Sequence, residues 1–69
     1  MYQSNLKKIR EEKNMTQAEL SAKSGINLRT IQNYEQGFKN INNGKVISII
    51  ALSEALNCSI YDILERGKV

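Results

Sequence analysis

Apolar residues recur along the chain with the period of an α-helix, and this pattern predicts five short helices. In the first helix, Leu6 and Ile9 lie at i, i+3 spacing and face inward, while the neighbouring charged residues face outward. The fourth helix is the most apolar. The predicted helices cover about residues 5–13, 17–24, 28–36, 44–56 and 60–66, the last ending near Arg66 before Gly67. The sequence therefore predicts an all-α fold, a five-helix bundle that takes in residues 1–69 as a single domain.

Two capping signals mark where helices begin. In Thr16-Gln17-Ala18-Glu19, the threonine side chain can accept from the backbone N–H of Glu19, and the glutamate can reach back to the N–H of Thr16. The segment Ser59-Ile60-Tyr61-Asp62 repeats this logic before the fifth helix. An apolar pair brackets each signal at the spacing of a hydrophobic staple: Met15 with Leu20, and Cys58 with Ile63.

A very short connection separates the second helix from the third. Gly25 tolerates the positive φ that ends a helix, and Asn27 is a good N-cap for the helix that follows. The third helix stops at Gly37, and the asparagine-rich segment 38–43 is interpreted as a loop. We therefore expect two short helices joined by a tight turn and followed by a longer, irregular connection.

Composition narrows the class of protein. The chain has 69 residues, no histidine and one cysteine, Cys58, so it can form neither an internal disulfide nor a Cys/His metal set. These absences argue against an enzyme, and we expect neither a cofactor nor a metal site. No apolar stretch reaches the roughly 20 residues of a membrane span, and no signal peptide pattern opens the chain. The sequence predicts a cytoplasmic protein without a membrane partner.

The charge is unevenly distributed. Residues 1–45 carry eight Lys/Arg and four Asp/Glu, a balance of +4, and residues 46–69 carry two and three, a balance of −1, which together give +3. A basic N-terminal part suits a polyanionic partner, although many solvated surfaces carry as much charge. The charge distribution alone is therefore only weak evidence for a nucleic-acid partner.

The third helix has two chemically different sides. Projection at 100° per residue puts Ile31, Tyr34 and Glu35 on one side and Arg29, Gln32, Asn33 and Gln36 on the other. Arginine can pair with guanine O6 and N7, and glutamine or asparagine with adenine N6 and N7. An ordinary solvated face is the alternative interpretation, but such a face more often carries Lys and Glu. The outward side therefore favours reading of DNA bases.

Residues 16–37, TQAELSAKSGINLRTIQNYEQG, resemble the helix-turn-helix of the phage repressor and Cro superfamily, the XRE family of bacterial regulators. The preceding LKKIREEKNMT and the later ALSEALNCSIYDIL extend the resemblance over nearly the whole chain. The segment 37–44 departs from the family pattern because it is longer, lacks the common proline and has Phe38 where a basic residue is frequent. The shared positions are Gln17, Leu20, Ser21, Gly25, Ile26, Ile31, Glu35 and Gly37.

The resemblance implies a five-helix domain of the phage-repressor type, with helices two and three as the helix-turn-helix and the third helix in the major groove of an operator. Leu28 would contact a thymine methyl group or simply tuck against the helix edge. For the phosphate candidates, a solvated polar side chain is the alternative. By position, the base readers would be Leu28, Arg29, Gln32 and Asn33, and the sugar or phosphate contacts Gln17, Thr30, Gln36, Lys39, Asn40 and Asn43.

The resemblance also implies a structural ion pair between Arg10 and Glu35, which would tie the first helix to the third. On the fourth helix, projection groups Val46, Ile49, Ser53 and Leu56 as a core face. Other apolar residues fall away from that face, and we hypothesise that they form a homodimer or partner surface; scattered surface residues are the alternative. These residues are Ile47, Ile50 and Ala51, with Tyr61 of the fifth helix.

The sequence thus predicts a bacterial or phage transcription regulator of the repressor type, which binds double-stranded DNA, as a dimer on a pseudo-palindrome. The alternative is a protein-interaction module, such as an antitoxin or a mobile-element control protein, with the apolar side of the fourth helix as its contact. Mutations distinguish the two functions. Substitutions on the polar side of the third helix should impair DNA binding, and substitutions on the apolar side of the fourth helix should impair binding of a protein partner.

Overall fold

The computed structural model describes residues 4–65, and this part of the chain is helical, without a strand. The prediction of an all-α, five-helix fold is confirmed. Between the third and fourth helices, one 3₁₀ turn occupies Ile41–Asn43 inside the segment interpreted as a loop. The helices are α1 (Asn5–Glu12), α2 (Gln17–Ser24), α3 (Leu28–Gln36), α4 (Val46–Leu56) and α5 (Ile60–Ile63).

Side-chain caps begin four of the helices. Thr16 and Glu19 form the predicted capping box at α2, and Ser59 and Asp62 form the one at α5. Asn27 accepts from the N–H of Arg29 at the start of α3, as expected, and the hydroxyl of Ser4 accepts from the N–H of Lys7 at the start of α1. Local hydrogen bonding therefore sets these helix starts.

Residues in the left-handed conformation follow four of the helices, α1 to α4. Gly25 has φ 76° after α2 and Gly37 has φ 84° after α3, a region that side chains other than glycine enter at a cost. Asn14 and Asn57, both at φ 56°, play this part after α1 and α4, because asparagine tolerates the left-handed conformation better than most residues. The chain therefore changes direction sharply after each of these helices.

One apolar core holds the helices together. α2 packs on α3 and α4, while α5 packs on α1 and α4, and α1 also contacts α3. Ile41 of the 3₁₀ turn joins this core at 2% exposure, although the sequence predicts a loop at this position. The buried apolar residues are Leu6, Leu20, Ile31, Tyr34, Ile41, Ile49, Leu52, Leu56 and Ile63.

The structure corrects two predictions about α4. The helix begins at Val46 rather than near Gly44. The projection places Val46 on the core face, yet it is 69% exposed, whereas Leu52 is fully buried. The core-facing side is therefore centred closer to Leu52 than the projection assumed, and Val46, at the first helical position, lies at its edge.

The fifth helix is shorter than predicted, because it ends at Ile63. The next residue, Leu64, is extended, with φ −71° and ψ 149°, and its carbonyl accepts from the side chain of Asn5 at 2.8 Å. A tertiary hydrogen bond thus takes the place of another helical turn. The predicted end near Arg66, before Gly67, lies outside the described residues.

Candidate nucleic-acid interface

The turn between α2 and α3 is held by side chains of α2. The hydroxyl of Ser21 donates to the carbonyl of Ile26 at 2.6 Å, and the N–H of Ile26 donates to the hydroxyl of Ser24 at 3.1 Å. These two bonds pair both backbone groups of Ile26 within the turn, and the N–H of Gly25 donates to the carbonyl of Ser21, one of the groups that the end of α2 leaves unpaired. The angle between α2 and α3 is therefore fixed within a connection of three residues.

The two sides of α3 separate as the projection predicted. Ile31, Tyr34 and Glu35 are buried, at 0%, 8% and 4% exposure. On the outer side, Arg29 and Gln36 are exposed, while Thr30, Gln32 and Asn33 are half-buried. Leu28 opens the helix at 38% exposure. The only carboxylate of α3 is buried, so the polar outer side carries no negative charge.

An ion pair anchors α3 to α1. The Nε of Arg10 donates to Oε2 of Glu35 at 2.7 Å, and its Nη2 donates to Oε1 at 3.0 Å. The Nη1 of Arg10 donates to the carbonyl of Met15 at 2.7 Å. The hydrogen bond to Glu35 raises the pKa of the guanidinium, with burial acting against it. Planar, two-point pairing of this kind fixes orientation as well as distance.

Gln17 is a third member of this network, which sequence reasoning missed. Its Nε2 donates to Oε1 of Glu35 at 2.9 Å, so the first residue of α2 is tied to the last turn of α3. One amide hydrogen of Gln17 is thereby used inside the domain. A backbone N–H at the start of α2 remains the more direct donor for a phosphate group. The long spacing between residues 17 and 35 gave no local sequence signal for this contact.

The chain after α3 folds back over Tyr34. A hollow of about 390 Å³ is lined there by Tyr34, Lys39, Asn40, Asn43, Gly44 and Lys45. The structure thus brings together three of the predicted phosphate candidates and adds Lys45, which sequence reasoning did not single out. Lys45 precedes α4, whose first turn has no side-chain cap. Two ammonium groups and an uncapped helix start make this hollow attractive to an anion.

Apolar side chains are exposed at the start of α4. Val46 and Ile47 are 69% and 75% exposed, and Ile50, one turn on, is 37% exposed. Ala51 is half-buried and lines a different hollow, between α2 and α4, with Lys23 and Glu54. Tyr61 of α5 is 68% exposed. We call Val46, Ile47 and Ile50 the α4 patch.

Two short helices joined at a tight glycine turn, with the second helix buried on one side and polar on the other, define a helix-turn-helix DNA-binding domain. A family model described as Helix-turn-helix matches residues 6–63, and the chain belongs to this family, the Cro/repressor-like or XRE group of DNA-binding transcription regulators. Comparison with the curated proteins gives no match. None of the helices described within residues 4–65 has the length and hydropathy that a membrane span requires.

Proposed function

We propose that the protein recognises a specific sequence in double-stranded DNA by inserting α3 into the major groove, and that it represses transcription by occupying an operator. The outer side of α3 carries this proposal. It presents Arg29, Gln32 and Asn33 without a competing carboxylate, because Glu35 is buried against Arg10. The phosphates that line a DNA groove attract a helix side that carries a positive charge and no negative one.

The base-reading roles follow from side-chain chemistry. Arg29 is exposed and its guanidinium pairs best with guanine, while the half-buried Gln32 and Asn33 pair best with adenine. Leu28, at 38% exposure, either meets a thymine methyl group or packs against the helix edge. Each correct pair would favour the operator over a wrong base by about 1–3 kcal/mol.

Phosphate contacts on either side of α3 would fix its position in the major groove. On one side, the start of α2 at Gln17 offers backbone N–H groups, and Thr30 lies at the groove edge. On the other side, the hollow below Tyr34 offers two ammonium groups. Such contacts fix position and add affinity for any sequence. The residues proposed for this role are Gln17, Thr30, Gln36, Lys39, Asn40 and Asn43, with Lys45 added.

We also propose that a second copy of the chain covers the α4 patch, as an operator with two half-sites about one helical turn apart would require. Val46 and Ile47 are the best exposed members of this patch and carry no charge. Ile47→Lys should then yield a monomer with weaker operator binding, whereas Glu54→Gln, on the same helix, should not. A monomeric mass of the unmodified chain at high micromolar concentration would contradict the dimer.

The second candidate function is a protein-interaction module, such as an antitoxin or a mobile-element control protein, and the exposure of Ile47 at 75% favours it. The two functions predict different sensitive positions. Loss of function on substitution of Arg29 or Gln32 supports DNA reading. Loss confined to the α4 patch, with the outer side of α3 tolerant, supports the protein partner.

Selection from a random duplex pool at about 150 mM salt tests the DNA-binding proposal directly. The enriched sequence and a scrambled duplex are then compared in affinity across a salt series. We expect a palindromic consensus bound at least ~10³-fold more tightly than scrambled DNA. Absence of enrichment, with weak binding that salt abolishes, would mean that the net charge supplies only non-specific affinity.

A further inference from the structure

The side chain of Asn42 forms two hydrogen bonds with the backbone of Glu65, a residue that is distant in the sequence. The Nδ2 of Asn42 donates to the backbone carbonyl of Glu65, and the backbone N–H of Glu65 donates to the Oδ1 of Asn42 at 2.9 Å. The amide of Asn42 thus pairs with both backbone groups of one residue, as a neighbouring strand would. The two residues are separated by 23 positions in the chain. We call this pair of bonds the Asn42 clamp.

The residues held by the clamp are fixed in turn to α1. Oε2 of Glu65 accepts from the backbone N–H of Asn5 at 2.8 Å, and the side chain of Asn5 donates to the carbonyl of Leu64 at 2.8 Å. Residues 64–65 therefore lie between the start of α1 and the 3₁₀ turn and bond to both. The clamp joins the 3₁₀ turn to the helical core through a second route besides the burial of Ile41.

The segment between α3 and α4 has few other anchors. Phe38, Lys39, Asn40 and Asn43 are exposed, and Ile41 is its buried residue. Two bonds to the carbonyl of Asn33, from the N–H groups of Phe38 and Lys39, hold its beginning. A segment with so few buried contacts is ordered mainly by its hydrogen bonds, so removing the clamp would loosen it before it loosened the core.

We propose that Asn42 is a positioning residue for DNA binding: its clamp on Glu65 holds Lys39 and Asn43 where they meet the phosphate backbone. This inference rests on the proposed DNA-binding function and names a residue that does not itself contact DNA. A loop that is already ordered loses less conformational entropy on binding than a mobile one, so pre-ordering of the segment raises affinity. It does so equally for every sequence, because phosphates carry no sequence information.

The test compares Asn42→Ala with the unmodified chain on the selected operator and on scrambled duplex, across a salt series. We expect affinity to fall about three- to tenfold, the equivalent of one ordinary hydrogen bond, on both duplexes alike. The ratio between operator and scrambled duplex should stay constant, and the dependence of affinity on salt should become shallower. Asn57→Ala is the control for a general loss of stability, because it replaces an exposed asparagine that ends α4 in the left-handed conformation, away from the segment.

A double-mutant cycle with Lys39→Ala separates positioning from lost stability. If the clamp acts by placing Lys39, the effect of Lys39→Ala should shrink when Asn42 is already alanine. Fully additive effects, an Asn42→Ala variant with unchanged affinity, an equal loss in Asn57→Ala, or a Lys39→Ala variant that binds normally would each overturn this inference while leaving the DNA-binding function standing. Failure of the unmodified chain to bind DNA would overturn both.

Discussion

The guanidinium of Arg10 and the carboxylate of Glu35 lie edge to edge in the interior, joined by two hydrogen bonds of 2.7 and 3.0 Å. Glu35 also accepts from Gln17, so the residue that fixes α3 is bonded to α1 and to α2 at once. The orientation of the polar outer side of α3 therefore depends on a charge cluster beneath it. The same cluster therefore stabilises the fold and orients the side of α3 that is proposed to contact DNA.

Substitution of Glu35 by alanine should unfold the domain before it alters sequence preference. It would strand the charge of Arg10 at 9% exposure, and a broken buried pair typically costs about 3–5 kcal/mol. That is a large share of the roughly 5–15 kcal/mol that stabilises a typical native protein. Urea unfolding measures the loss, with Glu12→Ala, an exposed glutamate of α1, as the control for charge. An unchanged urea midpoint would contradict this role.

Arg29→Ala should weaken binding to the operator more than binding to scrambled DNA, because Arg29 is proposed to read a base. One lost bidentate pair corresponds to about 1–3 kcal/mol of discrimination. Lys23→Ala is the matched control: it removes the same charge from an exposed position that lines the hollow between α2 and α4. Equal losses in the two variants would make Arg29 a general electrostatic contact.

Local signals explain which features could be predicted from the sequence. The caps at Thr16 and Ser59, the turn at Gly25 and the two sides of α3 each depend on residues within about one or two helical turns. The family resemblance added the pairing of Arg10 with Glu35, which no local spacing indicates. The helical architecture was therefore predictable almost completely.

Tertiary contacts explain what could not be predicted. Ile41 is buried because it packs into the apolar core formed by residues of distant helices, and α5 ends at Ile63, where Leu64 and Glu65 bond to Asn5 and Asn42. Gln17 likewise bonds to Glu35, a partner on another helix. These partners are 18 to 60 positions apart, beyond the reach of any periodic pattern.

The capping box at α2 should make stability sensitive to acid. The backbone N–H of Thr16, followed by its hydroxyl, lowers the pKa of Glu19 from its ordinary value of 4.5. A lowered pKa means that the stabilisation is complete above the ordinary value and is lost as pH falls through the folded-state value. Glu19→Gln keeps an oxygen acceptor but cannot titrate. The difference in urea midpoint between the two proteins should therefore narrow below about pH 4.5; a constant difference would contradict the prediction.

Cys58 should react slowly with thiol reagents in the folded protein. Burial, followed by the charge of Asp62, raises the pKa of its thiol above the ordinary value of 9.0, and only the thiolate is nucleophilic. The stabilisation of the neutral thiol is present below the ordinary value and fades as pH rises through the folded-state value. At about pH 8, alkylation of the native chain should lag behind alkylation of the denatured chain. Equal rates would contradict the shift.

Gly44→Ala should destabilise the domain, and Tyr34→Phe should partly restore it. A Cβ atom built on Gly44 would lie 2.6 Å from the hydroxyl oxygen of Tyr34 and 3.1 Å from the carbonyl oxygen of Ile41. Tyr34 is a core residue at 8% exposure, so its ring cannot move away freely. Overpacking of this kind typically costs about 1–3 kcal/mol.

The rescue follows from which atom clashes. Phenylalanine lacks the hydroxyl, and its nearest ring atom would correspond to Cζ of Tyr34, 3.4 Å from the new Cβ and in ordinary contact distance. Urea unfolding of the two single variants and the double variant measures the coupling between these positions. Additive effects would show that the carbonyl of Ile41, and not the tyrosine hydroxyl, resists the added carbon, because only the hydroxyl is removed by the second substitution.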